Sequence, residues 1–304
     1  MTEPADPTRL GITVKLVGGL GNQLFQYAAA RGAAARLECP VFVDVAGLAR
    51  VGPNDTPREF ALGWLLDAKQ IIDSGTEHGV RRWSAALRRR MPSLSMGRTF
   101  QQQGFAYDDR FAQLQRGAIL SGYFQSWRYF ANVQDELRAQ ILSSAPVSPW
   151  FTETSERLRA LGPWTAVHVR RGDYLQARNS AYHGLLGHAY YQRALAAVQT
   201  SGQPVVLFSD EPQAASELLG PVADHVIVID APSGVHEAES IALMSTAPAI
   251  VTANSSFSWW GAWLADPATT TVVCPSPWLD QADLDERDLR PRSWLTVDAG
   301  FGEL

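Results

Sequence analysis

Short apolar runs and helical repeats alternate along almost the whole chain. That alternation limits the folds open to it more than any other feature. Residues 12–17 and 41–45 read as strands. Between them, residues 22–37 carry Leu24, Ala28, Arg31 and Ala35 at helical spacing. Residues 118–121 read as a further strand and 129–142 as a helix. Later come strands at 165–170, 205–209, 226–230, 249–252 and 271–274, with helices at 189–200, 213–219, 238–246 and 257–265. Strands and helices at this spacing make parallel sheets with crossover helices. The stretch 143–149, SSAPVSP, reads as a linker by its Ser and Pro content. The expected fold is therefore α/β, with two Rossmann-like domains facing across a cleft. Their expected bounds are 10–145 and 150–280, followed by a tail at 281–304. A chain of 304 residues is long for one core and suits two.

Composition narrows the function classes. Hydrophobic residues make up 46% and charged residues 19%, as in ordinary globular proteins. A net charge of −5 argues against a general nucleic-acid binder. The two cysteines, Cys39 and Cys274, sit beside apolar residues and read as reduced thiols of a cytoplasmic protein. The first ten residues lack the pattern of a targeting peptide. No apolar run reaches the roughly 18 residues a membrane span needs. One cluster stands out: Arg81, Arg82, Arg88, Arg89, Arg90 and Arg98, with Trp83, Leu87 and Met91 between them. It reads as a solvated segment, or as a peripheral contact with an anionic surface at the inner face of a membrane.

Four strand ends carry the residues suited to chemistry. The first is Val17-Gly-Gly-Leu-Gly-Asn22-Gln23, a glycine turn entering a helix. Such a turn lets a ligand approach the backbone, and the helix offers free N–H groups. Asn22 suits an N-cap, and Asn22 and Gln23 could donate into a cleft beside Gly21. The glycines could equally serve only strand-to-helix packing. The second is His168-Val-Arg170-Arg171-Gly172-Asp173. Two guanidinium groups at a strand's carboxyl end match phosphate oxygens in pairs. Asp173 could hold an arginine in place, and a surface Arg–Asp pair is the plainer alternative. Strand alternation puts His168 and Arg170 on one face. His168 could meet a ligand there or be a core histidine. The third is Ser209-Asp210-Glu211-Pro212, where Asp210 could accept from guanine's two N–H donors or cap the following helix. The fourth is Asn254-Ser255-Ser256-Phe257-Ser258-Trp259-Trp260. Its serines and amides suit an anion at a helix N-terminus, and its tryptophans suit core packing.

Taken together, GGLGNQLFQYA, HVRRGDY and NSSFSWWGAWL resemble the signatures of bacterial-type α-1,2-fucosyltransferases, glycosyltransferase family 11. GYFQSWRYF at 122–130, YHGLL at 182–186, Tyr190-Tyr191 and LMS at 243–245 add to the likeness, which spans about residues 14–263. The resemblance implies a two-domain, GT-B-like architecture and an enzyme that moves L-fucose from GDP-β-L-fucose to the 2-hydroxyl of a galactoside. The acceptor would be an oligosaccharide or lipid-linked glycan in glycan or surface-polysaccharide synthesis. Transfer would invert the anomeric centre, with no cofactor and no essential metal. Asp283-Leu-Asp285 lies in a charged stretch and reads as a solvated loop. Arg170 and Arg171 would neutralise the pyrophosphate. Asp210 and His168 would hold guanine, and Ser255, Ser256 and Phe257 would meet the phosphates. Asn22 and Gln23 would lie near the fucose and acceptor, with Gln125 and Trp127 adding to the acceptor wall. Inversion calls for a base, for which Asp173, His183 and Glu239 are candidates.

Two other readings compete. Asp44 ends the second strand after a glycine turn, as in an NAD-dependent oxidoreductase. Leu24, however, stands at the third glycine position, and the arginine turn would go unused. A non-catalytic sugar-nucleotide or glycan-binding protein would keep the motifs without turnover.

Overall fold

The computed structural model describes residues 10–49, 58–74, 99–172, 184–198, 202–220, 222–223, 225–281 and 283–301. Asp173, His183 and the arginine cluster at 81–98 lie outside the described residues. The chain divides into two compact units. One is Met1–Ser144 with Arg287–Leu289, and the other is Ala145–Glu286 with Arg290–Leu304.

In the first unit, β1 (Ile12–Lys15), β2 (Val41–Asp44), β3 (Ile71–Ile72), β4 (Thr99–Gln101) and β5 (Ile119–Ser121) form a parallel sheet. Their order is β3-β2-β1-β5-β4. Helix α1 (Leu20–Leu37) follows β1. Its alanine-rich body favours helix intrinsically and lets it lie flat on the sheet. It begins two residues earlier than the sequence suggests, and its N-cap is Gly19, not Asn22. The helix expected at 129–142 is two pieces: a 3-10 segment, Trp127–Val133, and then α2 (Gln134–Ser144).

In the second unit, the parallel strands are β6 (Thr165–Val169), β7 (Val205–Ser209), β8 (Val226–Ile229), β9 (Ala249–Val251), β10 (Thr271–Ser276) and β11 (Leu295–Asp298). They are ordered β11-β10-β9-β6-β7-β8. The helices are α3 (Pro149–Ala160), α4 (His188–Ala197), α5 (Pro212–Leu219), α6 (Glu237–Met244) and α7 (Ser256–Leu264). Both faces of the sheet are covered, which explains its nearly continuous apolar strands. Val167, Val169, Val205 and Leu207 pack with Tyr190, Tyr191 and Leu195 of α4. Ala166, Val206 and Phe208 pack on the opposite face with Met244, Ala262 and Leu158. Two Rossmann-like units in one chain give an α/β, GT-B-like makeup. The tail is partly ordered structure: β11 extends the second sheet.

Part of the expected linker is a helix start. Ser148 caps α3, accepting the Phe151 N–H at 3.2 Å, and Pro149 sits in its first turn. Glu239, a candidate base, is a buried strut for this junction. Its Oε2 accepts the Ser148 N–H at 3.1 Å and the Ser148 hydroxyl at 2.5 Å. Among the described residues no helix is long and apolar enough to cross a membrane.

Candidate functional site

Strand order points to two places. In each sheet the order reverses beside the first strand, and ligands of open α/β sheets bind outside the carboxyl ends at such a reversal. In the second unit the reversal falls between β6 and β9. The last β6–β9 pair is Val167–Val251. Beyond it β6 runs into His168, Arg170 and Arg171, and β9 runs into Asn254, Ser255 and α7. Two of the four motifs therefore flank one switch point.

Asp210 governs the arginine turn. Register pairs Val169 with Ser209, which puts Asp210 beside Arg170. Its Oδ2 lies 3.1 Å from the Arg170 guanidinium, and its Oδ1 accepts the Arg171 N–H at 3.0 Å. Gly172 is needed for this closeness, because a Cβ there would stand 2.5 Å from Asp210 Oδ2. Asp210 does not cap α5. The N-cap is Glu211, whose N–H is accepted by Ser209 Oγ at 3.0 Å. Asp210 thus holds the arginine turn from the neighbouring strand, and Asp173, expected to hold an arginine, lies outside the described residues. Arg171 brings a buried Nε that has no hydrogen-bond partner among the described residues.

His168 is 3% exposed and stacks on Phe257, ring centroids 5.4 Å apart. Its Nδ1 is buried with no hydrogen-bond partner among the described residues. Burial drives its pKa down to about 3, and the Arg170 charge pushes the same way. The ring is therefore neutral at ordinary pH. Ser255 is the N-cap of α7, accepting the Phe257 N–H at 3.3 Å. Ser258 is spent inside, donating to the Ala253 and Ser255 carbonyls at 3.3 Å each. Ser256 and Phe257, half-buried, form the first turn. Trp259 and Trp260 are fully buried and pack on Trp263, so they are core. The result is a cationic turn facing a helix N-terminus, a combination that favours a multiply charged anion.

In the first unit the reversal falls between β1 and β5. Gly18, at φ +78°, turns the chain into α1, and a Cβ on it would come within 2.5 Å of Asn22 Nδ2. Across the opening, Gln125 Nε2 donates to Asn22 Oδ1 at 2.7 Å. The structure brings these two amides together. The Gly19 cap carries no side-chain bond, and a Cβ on it would meet nothing within 4 Å. Gly21 is buried in the first helical turn and Trp127, two residues past Gln125, is half-buried.

Gln23 corrects the sequence reading. It is completely buried, and both ends of its amide are occupied. Its Nε2 donates to the Gly18 and Glu59 carbonyls at 2.9 and 2.8 Å, and its Oε1 accepts the Ala61 N–H at 2.9 Å. Gln23 fastens the 59–61 segment to the glycine turn and does not donate into an opening. Phe124 is likewise core, packed on Tyr129 at 5.2 Å. Asp44, which suggested a dinucleotide site, is buried and engaged. It accepts from the Ala46 and Ser74 N–H groups at 3.1 Å and from the Ser74 hydroxyl at 2.6 Å.

These features define a class: an α/β protein with a cationic, helix-flanked switch point in its second sheet. The chain belongs to glycosyl transferase family 11, whose profile matches residues 108–298. It is therefore a glycosyltransferase, of the family its three motifs resemble. An alpha-1,2-colitosyltransferase of Escherichia coli is 26% identical over 299 residues, covering 94% of this chain and 99% of that one. Galactoside alpha-(1,2)-fucosyltransferase 1 of Alouatta belzebul is 32% identical over 80 residues, 24% of this chain and 22% of that one. A crystal structure of the fucosyltransferase NodZ from Bradyrhizobium aligns over 85% of this chain and 94% of that one, with 15% identity and a TM-score of 0.49.

Proposed function

We propose that the protein transfers L-fucose from GDP-β-L-fucose to the 2-hydroxyl of a galactoside, with inversion and without an essential metal. The observation that carries this reading is the pairing of the Arg170–Arg171 turn with the Ser255-capped helix at one switch point. In an inverting displacement the acceptor oxygen attacks the anomeric carbon as GDP leaves. Negative charge grows on the departing phosphate oxygen. Arg170 and Arg171, held by Asp210, would meet that charge, with the α7 N-terminus on the other side. Donors fixed before the reaction need no reorganisation during it, and one such donor is typically worth about 10²–10³ in kcat. His168, neutral and stacked on Phe257, would line the pocket for guanine, and the remaining lone pairs of Asp210 could accept from its N–H edge. The Asn22–Gln125 amide pair suits the hydroxyls of the acceptor sugar.

The relative named as an alpha-1,2-colitosyltransferase favours a second reading for the donor alone. Colitose is the 3-deoxy counterpart of L-fucose, so the same site could act on either GDP-sugar. The test is incubation with each GDP-sugar and a panel of β-galactosides, in excess EDTA, with the product linkage read by NMR. Transfer of fucose to a 2-hydroxyl is the expected result. Transfer of colitose alone would shift the donor assignment. Activity lost in EDTA and restored by Mg²⁺ or Mn²⁺ would overturn the metal-free reading. Loss of transfer with GDP binding retained would favour a binding protein.

A further inference from the structure

Directly beneath the second switch point stand two side chains to which the motifs assign no role. Helix α4 presents Tyr190 and Tyr191 side by side, with rings edge to face and centroids 4.9 Å apart. Both are fully buried. Tyr191 donates its hydroxyl to the His168 carbonyl at 3.2 Å, and Tyr190 donates to the Thr252 carbonyl at 2.6 Å. His168 and Thr252 each lie one residue past the last β6–β9 pair. The strands stop pairing there, and a buried carbonyl left unbonded is costly. One helix supplies a donor to both. Burial pushes both phenols far above their ordinary range, so each stays protonated and keeps its donor.

The arginine turn begins two residues after His168, and the serine cap lies three residues after Thr252. Adjacent residues of one helix thus grip the two strand ends that lead to the two walls of the site. We infer that Tyr190 and Tyr191 are positioning residues that set the gap between the arginine turn and the serine-capped helix. They thereby set affinity for the donor's diphosphate. The inference rests on the donor-site reading above.

The test uses the full chain with Tyr190→Phe and Tyr191→Phe. Each removes one hydroxyl and keeps the ring. GDP affinity by calorimetry, KM for donor and acceptor, and the thermal midpoint are measured together. Each variant is expected to weaken GDP about tenfold and raise donor KM similarly, as for one lost buried hydrogen bond. Acceptor KM should stay within twofold. A lowered thermal midpoint with unchanged GDP affinity and unchanged KM values would reduce the pair to core packing and overturn the inference. If a variant fails to fold, the unaltered chain gives a second readout: hydrogen exchange of the 188–197 amides with and without GDP. Slower exchange with GDP is expected, and unchanged exchange would overturn the inference. An unaltered chain that does not bind GDP would overturn the donor reading itself, a result distinct from GDP binding that the tyrosine variants leave intact.

Discussion

The two sheets reverse their strand order in the same way and line the openings with different chemistry. At the β6–β9 opening a charged pair is clamped, Arg170 on Asp210 with the Arg171 backbone on the same carboxylate, beside the neutral His168 stacked on Phe257. At the β1–β5 opening the side chains are neutral amides, Asn22 and Gln125, bonded to each other. Under the proposed function, the charged end would take a multiply charged anion and the neutral end hydroxyl groups. The lesson is that a Rossmann-like scaffold fixes where a ligand goes, while the few residues past the strand ends decide which ligand.

The comparison breaks if the charged end is not where turnover is decided. Arg170→Ala should therefore have the largest effect: kcat lower by about 10²–10³-fold with the thermal midpoint little changed. Arg170 and Asp210 are partly buried at the strand end, with side chains 23% and 24% exposed, and solvent still reaches their pair, so its loss should cost little stability beside its effect on turnover. Near-normal turnover in that variant would remove the site assignment. Next comes Asp210→Asn, expected to weaken GDP binding by about ten- to a hundredfold. The amide cannot neutralise Arg170, and its NH2 must face either the Arg170 guanidinium or the Arg171 N–H, both of them donors. Gly172→Ala should copy this loss by crowding the same carboxylate, and calorimetry on both variants checks the clamp.

The neutral end should show the opposite pattern. Asn22→Ala and Gln125→Ala should each raise acceptor KM by about tenfold and leave donor KM within twofold. Steady-state kinetics with both substrates varied would reveal the split. A matching rise in donor KM would merge the two roles.

The effect with least bearing on turnover concerns acidity. His168 is neutral in the fold with a pKa near 3, against an ordinary value of 6.5. The unfolded chain therefore binds a proton that the folded chain refuses between these values. Stability contributed by the neutral ring is complete above pH 6.5 and is lost as pH falls toward 3. The loss should reach about 2 kcal/mol near pH 4.5. Urea unfolding of the unaltered chain and of His168→Phe at pH 7 and pH 4.5 checks it. The variant should lose less stability than the unaltered chain on acidification, and an equal loss would place the acid sensitivity elsewhere.

Much of this contrast was legible in the sequence, and the illegible parts share causes. β7 and the core of β6 read correctly because both faces are buried and their apolar runs are unbroken. β3 and β4, at two and three residues, are too short to show a period. β11 is longer, but its burial pattern shows it mostly exposed, so it lacks an apolar run. α3 was hidden by a Ser/Pro-rich stretch, although Ser148-Pro149 is itself a helix-start signal. Asn22 and Gln23 are adjacent amides and look alike in sequence. One is half-buried at the opening and the other is wholly inside, and only tertiary contacts separate them. The Asp210–Arg170 contact is not legible in sequence, because it depends on β6–β7 register. Nothing local to Glu239 in the sequence shows that it is engaged, because its partner Ser148 lies 91 residues away.

The most direct test of the account is calorimetric titration of GDP, in excess EDTA, into the unaltered chain, Arg170→Ala and Asn22→Ala. The account predicts metal-free binding by the unaltered chain. It predicts affinity within twofold for Asn22→Ala and a loss of a hundredfold or so for Arg170→Ala. Binding that survives in Arg170→Ala, or falls equally in Asn22→Ala, would contradict the assignment of the nucleotide to the charged switch point.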